Sequence, residues 1–201
     1  DSGRTFISKG MVKRAKKLAK QNIDKIKNLI NKENVLVGIE PSSLLSFRDE
    51  YPSLVEEDIE QLNSNIYLFD EFFAKEIEEN NISAEQFTQK AEKILLHGHC
   101  QQKALIGSVY MEKMLSLPKN YSVEVIPSGC CGMAGSYGYE KRHYEKSKQI
   151  ADLHLTKAIN KADKSTIISA PGTSCREQIK HFTQRKALHP IEIMYNALKT
   201  K

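Results

Sequence analysis

Four cysteines are the residues in this sequence with the clearest capacity for chemistry, and two of them are adjacent. The 201-residue chain contains Cys100, Cys130, Cys131 and Cys175. The adjacent pair lies in P-S-G-C-C-G, residues 127–132. A disulfide between neighbours would distort the peptide that joins them, and four cysteines are too few for a disulfide scaffold in a chain of this size. The pattern therefore favours metal ligation or redox chemistry.

The cysteines follow segments that the hydrophobic pattern predicts to be buried strands. Short apolar runs predict strands at 35–39, 94–97, 123–126 and 166–169. Helical periodicity predicts helices at 8–32, 69–79, 101–117, 140–162, 174–185 and 190–199. Strands that alternate with helices predict an α/β fold: an open, mainly parallel sheet with helices on both faces.

Each predicted strand runs into a distinctive turn, and all the cysteines lie in three of the four turns. The carboxyl ends of parallel strands share one edge of a sheet, where ligands normally bind, so we expect the four thiols to converge there. The pattern Ser174-x-x-Glu177 predicts a capping box that places Cys175 in the first turn of a helix. A helix N-terminus favours the thiolate form, which ligates metals.

Several neighbours of the cysteines are candidates for a supporting role. Gly129 and Gly132 flank the cysteine pair and allow the backbone to approach a cofactor closely. His97 and His99 precede Cys100; one of them can replace a ligand or donate to a sulfur, or both can be ordinary loop histidines. Arg176 can offset thiolate charge, or can be a surface arginine.

An isolated buried cysteine behaves as a small hydrophobe, and for Cys100 or Cys175 alone that interpretation is the better one. For all four at one predicted sheet edge, a shared site is the better interpretation. Consecutive thiolates at Cys130 and Cys131 can bind one metal ion or bridge two irons of a cluster.

The composition is that of a soluble globular protein, with 40% hydrophobic and 27% charged residues. No apolar run approaches the length of a membrane span and no signal peptide opens the chain, so we expect a cytoplasmic location. The net charge is +5, and the lysines of the first predicted helix lie opposite its apolar stripe, which does not indicate a nucleic-acid partner. The chain begins Asp1-Ser2-Gly3-Arg4 without methionine, which we interpret as a piece of a longer polypeptide.

These motifs resemble the cysteine-rich CCG domain of iron–sulfur subunits and of the C-terminal part of FAD-linked D-2-hydroxyacid dehydrogenases. The stretches that carry the resemblance are G-I-E-P-S-S at 38–43, F-R-D-E at 47–50, L-H-G-H-C-Q-Q-K-A at 96–104, S-G-C-C-G-M-A-G-S-Y-G at 128–138, S-C-R-E-Q-I at 174–179 and A-L-H-P-I-E at 187–192.

The resemblance implies a single CCG-type domain over residues 1–201, a C-terminal fragment whose first cysteine set is truncated. Asp1-Ser2-Gly3 stands where a first Cys-Cys-Gly is expected, and Ser43 stands where a cysteine is common. Gln178 follows Cys175 where some relatives end in a C-x-x-C pair. The implied ligands of the one remaining site are Cys100, Cys130, Cys131 and Cys175.

The resemblance also implies electron transfer within a larger oxidoreductase. The expected cofactor is an iron–sulfur cluster of the [4Fe–4S] type, with zinc as the alternative, because both accept four cysteines. FAD is expected only in a partner domain or subunit, beside a ferredoxin-like [4Fe–4S] domain, in a complex at the inner face of the membrane that passes electrons to a quinone. The isolated chain is not expected to oxidise a substrate. Two other functions stay open: a zinc-stabilised docking domain, and a thiol–disulfide enzyme that uses Cys130 and Cys131.

Overall fold

The chain forms two compact units, each built around its own parallel sheet. The computed structural model describes residues 1–199, and the units are Asp1–Phe69 and the residues from Asp70 onward. Both sheets are wholly parallel and are accompanied by helices, which confirms the predicted α/β class. The assignment of residues 1–201 to a single CCG-type domain stays a prediction.

The first unit contains a two-stranded sheet and five short or medium helices. Its strands are β1 (Leu36–Gly38) and β2 (Ile66–Leu68), and its helices are α1 (Arg4–Ser8), α2 (Val12–Ile26), α3 (Pro41–Arg48), α4 (Tyr51–Leu54) and α5 (Glu60–Asn63). The core of this unit includes Ala19, Ile23, Tyr51 and Ile59. The prediction that the first strand belongs to the same sheet as the other three is wrong, because β1 pairs with β2.

The predicted first helix, 8–32, is shorter than expected. A left-handed residue, Gly10 at φ 69°, separates α1 from α2, and α2 ends at Ile26. The predicted apolar stripe is confirmed in its middle, where Ala15, Ala19 and Ile23 are buried. Its two ends, Val12 and Leu29, are exposed.

The second unit contains a four-stranded sheet in the order β4-β3-β5-β6. Its strands are β3 (Glu92–Leu96), β4 (Tyr121–Val125), β5 (Ile167–Ser169) and β6 (Ala187–Leu188). Its helices are α6 (Phe69–Glu78, which begins at the boundary), α7 (Cys100–Leu105), α8 (Val109–Leu115), α9 (Tyr144–Leu153), α10 (Leu155–Lys161), α11 (Thr173–Thr183) and α12 (Pro190–Ala197). Two predicted helices are each divided: Gly107, at φ 80°, separates α7 from α8, and His154 separates α9 from α10.

Both faces of this sheet are buried at its central strands β3 and β5, as is typical of a parallel sheet. On one face, Leu95 and Ile168 pack in a cluster with residues of α10 and α11. Successive side chains of a strand alternate between faces, so Ile94 and Leu96 lie on the other face, where they are 1% and 0% exposed. Helix α8 contacts β4 and packs against α12. The sheet is therefore covered by helices on both sides.

The register aligns the carboxyl ends of three adjacent strands, β4, β3 and β5. Leu96, the last residue of β3, pairs with Val125 at the end of β4 and with Ser169 at the end of β5. Two further hydrogen bonds extend this alignment: Ile126 N–H donates to the Leu96 carbonyl and His97 N–H donates to the Ser169 carbonyl, both at 2.8 Å. The loops that carry the cysteines therefore begin side by side at the same edge of the sheet.

The longest helix in the described part of the chain, α2, has 15 residues, whereas a membrane span needs about 20 apolar residues. Within residues 1–199, none of the helices has the length and apolar character that crossing a bilayer requires.

Candidate metal centre

Three turns at the ends of adjacent strands bring the four cysteine side chains together. Cys100 begins α7, four residues after the end of β3 at Leu96. Cys130 and Cys131 lie in the loop that follows β4, and Cys175 lies in the first turn of α11, which follows β5. Because β3 lies between β4 and β5 in the sheet, these turns are direct neighbours.

The four thiols form a continuous chain of contacts from the surface to the core. Hydrogen bonds join Cys100 to Cys130, Cys130 to Cys131, and Cys131 to Cys175. Cys100 is exposed and Cys130 half-buried, whereas Cys131 and Cys175 are 4% and 2% exposed and belong to the hydrophobic cluster. All four are free thiols.

The pKa values of the four thiols are shifted alternately up and down along this row of contacts. Hydrogen bonds from the thiols of Cys100 and Cys131 hold the pKa of Cys130 well below its usual value, and the thiol of Cys131, with His97, likewise lowers the pKa of Cys175. The same contacts, together with burial, raise the pKa of Cys100 and of Cys131. The pKa values of Cys130 and Cys175 are thus shifted down and those of Cys100 and Cys131 up, so that neighbouring thiols share protons. A bound cation would replace those protons, as metal binding to thiols generally does.

Backbone amides of the cysteine loops point at the sulfurs. Gly132 N–H donates to Cys130 Sγ at 3.3 Å, and the Ala134 amide also lowers the pKa of Cys130 by a hydrogen bond. Met133 and Gln101 supply backbone hydrogen bonds that act in the same direction on Cys131 and Cys100. Donors of this kind favour the thiolate and tune the potential of metal–sulfur centres.

The residue directly after the cysteine pair, Gly132, has a backbone conformation and surroundings that only glycine can accommodate. Gly132 has φ 98°, and a Cβ there would lie 2.2 Å from the Ser147 carbonyl oxygen of α9. The Ser147 hydroxyl donates to the Gly132 carbonyl at 2.8 Å. Gly129, by contrast, is exposed, and a Cβ there would meet no atom within 4 Å. The two glycines that the sequence singles out therefore differ in their structural demands.

Gln178 fastens the same loop to α11. Its buried carboxamide donates to the Cys131 carbonyl at 3.1 Å and to the Ser147 hydroxyl at 2.8 Å. Sequence reasoning noted this residue only as a missing thiolate. Its i+3 spacing from Cys175 on one helix is the signal that could have shown its contact with the site.

Lys103 is a site residue that the sequence analysis did not single out. Its ammonium donates to the carbonyls of Ser128 and Gly129, the latter at 3.0 Å, immediately before the cysteine pair. Burial lowers the pKa of Lys103, although the negative charge of all four cysteine sulfurs opposes this shift. Lys103 therefore places a positive charge beside the thiolates and anchors the loop. Its spacing of three residues from Cys100 puts both on one helix face.

His97 lies beside the two buried thiols. Its side chain is 0% exposed, and Nδ1 lies 2.7 Å from the Ser128 hydroxyl. One ligand nitrogen of His97 and the sulfurs of Cys131 and Cys175 all lie within 4.8 Å of one another. Among residues 1–199, no atom forms a hydrogen bond of good geometry with Nε2.

The other two predicted neighbours contact the turn before α11. The His99 ring packs on Gly172, where an added Cβ would lie 2.7 Å from the ring carbon Cδ2. The Arg176 guanidinium donates to the carbonyls of Ala170 at 3.0 Å and Pro171 at 2.6 Å. Both residues therefore shape the turn that presents Cys175.

The predicted capping box at Ser174 is wrong. Helix α11 begins one residue earlier, at Thr173, with Gly172 as its N-cap and no side-chain cap. The Ser174 hydroxyl lies 3.3 Å from the Tyr139 hydroxyl instead. Cys175 nevertheless lies in the first turn, where the helix dipole favours a thiolate.

The donor set fits a metal centre. Soft thiolate ligands select zinc, Cu(I) and iron–sulfur clusters, and the four thiols come together with amide donors on three of the sulfurs. The chain is thus a cysteine-rich protein on an α/β scaffold, and its four thiols form a candidate metal site. The comparison with protein families is specific about the class: residues 94–180, which contain all four cysteines, match the family described as CCG, cysteine-rich domain. Residues 94–180 are thus similar to CCG cysteine-rich domains.

The relatives of this chain are much larger dehydrogenase polypeptides. The D-2-hydroxyglutarate dehydrogenase of Escherichia coli K12 is 29% identical over 199 residues, which cover 98% of this chain and 19% of that protein. The corresponding protein of Haemophilus influenzae is 27% identical and is covered to 20%. One subunit of the anaerobic glycerol-3-phosphate dehydrogenase of E. coli K12 is 27% identical over 198 residues, which cover 98% of this chain and 49% of that subunit. No solved structure matches the chain.

The chain therefore spans about one fifth to one half of the curated relatives it matches, and it is homologous to parts of dehydrogenases.

Proposed function

We propose that this chain is the electron-transfer domain of an FAD-linked 2-hydroxyacid oxidoreductase and binds one iron–sulfur cluster through Cys100, Cys130, Cys131 and Cys175. The observation that carries the proposal is the convergence of the four thiols, in one contact chain, at the aligned ends of three strands. The kinship with D-2-hydroxyglutarate dehydrogenases supports a 2-hydroxyacid as the substrate of the parent enzyme.

The environment of the thiols suits a redox centre. When bound, an iron–sulfur cluster accepts and releases single electrons. The chain itself keeps water from the inner ligands, because Cys131 and Cys175 are buried in an apolar cluster. Lys103 compensates negative charge on the sulfurs, and the exposed Cys100 puts one edge of the centre within reach of a partner.

A specific observation favours a second candidate function, a zinc-stabilised docking domain with no redox role. His97, Cys131 and Cys175 offer three ligand atoms within 4.8 Å of one another. So compact a group suits a single ion, and structural zinc sites commonly combine cysteine with histidine.

The proposed partners are an FAD-containing dehydrogenase domain or subunit and a ferredoxin-like [4Fe–4S] domain. The relatives carry four fifths or half of their length outside the region matched here, which leaves room for such parts. A cytoplasmic complex that reaches a quinone at the inner face of the membrane is part of the same proposal.

Anaerobic purification, with iron, acid-labile sulfide and zinc measured per chain, tests the proposal. We expect iron and sulfide together in the wild-type chain and their loss in Cys100→Ser and Cys131→Ser. Gly129→Ala is the matched loop variant and should retain the metal, because a Cβ at that position meets no neighbour. Stoichiometric zinc without sulfide would contradict the electron-transfer function and support the zinc-stabilised docking function. A folded wild-type chain without metal would refute both.

A further inference from the structure

We propose that His97 is a direct ligand of the metal centre, bound through Nε2 beside the cysteine sulfurs. This inference rests on the proposed metal-binding function and goes beyond it, because the four cysteines alone would satisfy a zinc ion or a cluster.

The first argument is the burial of an unused nitrogen. The His97 side chain is 0% exposed, and within residues 1–199 its Nε2 forms no hydrogen bond of good geometry, although the side chain contacts the Cys175 thiol. A buried polar atom without a well-formed partner is costly, so nearly every such atom in a native protein is satisfied by some group. Here the groups that face the ring are the sulfurs of Cys131 and Cys175.

The second argument is the hydrogen bond on the opposite side of the ring. The Ser128 hydroxyl lies 2.7 Å from His97 Nδ1 and 3.5 Å from the Ile126 carbonyl. When Nε2 binds a metal, Nδ1 carries the ring proton, and the Ser128 hydroxyl can accept that proton while it donates toward the Ile126 carbonyl. This tautomer leaves a lone pair on Nε2. A metal-bound histidine typically donates its other ring N–H in this way, which fixes the orientation of the ring.

The third argument is that the backbone fixes the ring at the sheet edge. His97 is the first residue after β3, and its N–H donates to the Ser169 carbonyl at 2.8 Å. Gln178, the other buried polar side chain at the cysteine pair, is already engaged with Cys131 and Ser147. Of these two side chains, only His97 directs an uncommitted donor atom at the thiols.

His99 provides a matched control. It is two residues away, it is also an imidazole in the same turn, and its Nδ1 is likewise buried without a hydrogen bond. Its ring packs on Gly172, and the group of ligand atoms within 4.8 Å contains His97 and not His99. The proposal therefore assigns different outcomes to two neighbouring residues of the same type.

The test uses the full chain labelled with [¹⁵N]histidine and purified anaerobically, with iron, sulfide and zinc measured first. For an iron–sulfur centre, pulsed electron paramagnetic resonance of the reduced protein should show a directly coordinated histidine nitrogen. For zinc, X-ray absorption at the zinc edge should show one nitrogen among the ligands. We expect the nitrogen signal in the wild type and in His99→Gln, and its absence in His97→Gln. We also expect His97→Gln to bind the metal about 10-fold more weakly or worse.

The outcomes separate the two proposals. A wild-type chain that holds its metal without a histidine nitrogen among the ligands overturns the assignment of His97 and leaves the four-cysteine site intact. The same conclusion follows if the nitrogen signal persists in His97→Gln. A wild-type chain without metal overturns the proposed function and this inference together. The wild-type spectrum decides the question even if His97→Gln does not fold.

Discussion

Alanine at Gly132 and at Gly129 should have opposite consequences, although both glycines flank the same cysteine pair. At Gly132, the φ of 98° is strained for any residue with a Cβ, and that Cβ would lie 2.2 Å from the Ser147 carbonyl oxygen and 3.0 Å from Gln178 Nε2. The obstacle at Ser147 is backbone, so the loop itself must move. We expect this movement to break the hydrogen bonds that fasten the loop, from Ser147 to the Gly132 carbonyl and from Gln178 to the Cys131 carbonyl.

The destabilisation expected for Gly132→Ala can be estimated from the backbone strain and the two lost hydrogen bonds. A residue forced into a rare backbone region costs about 1–3 kcal/mol, and the two lost hydrogen bonds cost about 0.5–1.5 kcal/mol each. The sum, about 2–6 kcal/mol, is a large part of the 5–15 kcal/mol that stabilises a typical domain. At Gly129, no atom lies within 4 Å of the added Cβ, so the change should stay within about 0.5 kcal/mol, as for other surface substitutions.

Urea unfolding of the metal-loaded protein, with metal content measured in parallel, checks this pair. Gly132→Ala should unfold at clearly lower urea and bind less metal, and Gly129→Ala should match the wild type in both measurements. If Gly132→Ala matched the wild type as well, the described path of the cysteine loop would be wrong.

Three further predictions concern residues that support the site or lie near it. Gln178→Leu should lower the free energy of unfolding by about 1–3 kcal/mol, because it leaves buried hydrogen-bonding groups without their partner; an unchanged urea midpoint would contradict this. Lys103→Met should weaken metal binding about 10-fold and make the reduction potential of a redox centre more negative, because a positive charge beside the sulfurs is lost. Lys93→Met, at an exposed position, is the control. Equal reduction potentials in the two variants would count against the role of Lys103. Burial raises the pKa of Asp70, which accepts a hydrogen bond from Gln102, from its usual 3.8 to about 7. Between those pH values the folded protein holds a proton that the unfolded chain has released, so stability should fall as the pH rises from about 4 to 7, by up to about 4 kcal/mol. Asp70→Asn should abolish this pH dependence of the free energy of unfolding and should be more stable than the wild type above pH 7. If the free energy of unfolding changed with pH in the same way in both proteins, the raised pKa of Asp70 would be contradicted.

The convergence of the cysteines was predictable from the sequence because it depends on one general property of parallel sheets. Each cysteine turn follows a short apolar run, and the carboxyl ends of such strands meet at one edge. The strand register, with Leu96 opposite both Val125 and Ser169, turns this expectation into a contact chain of sulfurs. The consecutive burial of Ile94, Leu95 and Leu96 in β3 likewise matched the prediction of a sheet covered on both faces.

The sheet membership of β1 and the divided helices were not predictable from local pattern. Strands β2 and β6 have three and two residues, which is too few to give a periodic hydrophobic pattern. The sequence therefore did not indicate that β1 pairs with β2. Gly107 interrupts an apolar repeat that continues on both sides of it, and only its φ of 80° ends α7.

The supporting residues of the site escaped sequence reasoning for a different reason. Lys103 and Gln178 act through hydrogen bonds to backbone carbonyls 25 to 47 residues away. A long polar side chain on a helix is ordinarily a solvated one, and nothing in its type indicates a distant carbonyl as partner. His97 was recognised as a candidate, but only its complete burial and its place beside Cys131 and Cys175 distinguish it from His99.

The most direct test of the central claim is a redox titration of the anaerobically purified chain, followed by visible absorbance and electron paramagnetic resonance. A four-thiolate iron–sulfur centre predicts reversible one-electron reduction with about one unpaired spin per chain, lost in Cys131→Ser while the fold is retained. A metal-loaded, folded chain that takes up no electron over the accessible range of potential would contradict the assignment of electron transfer to this site.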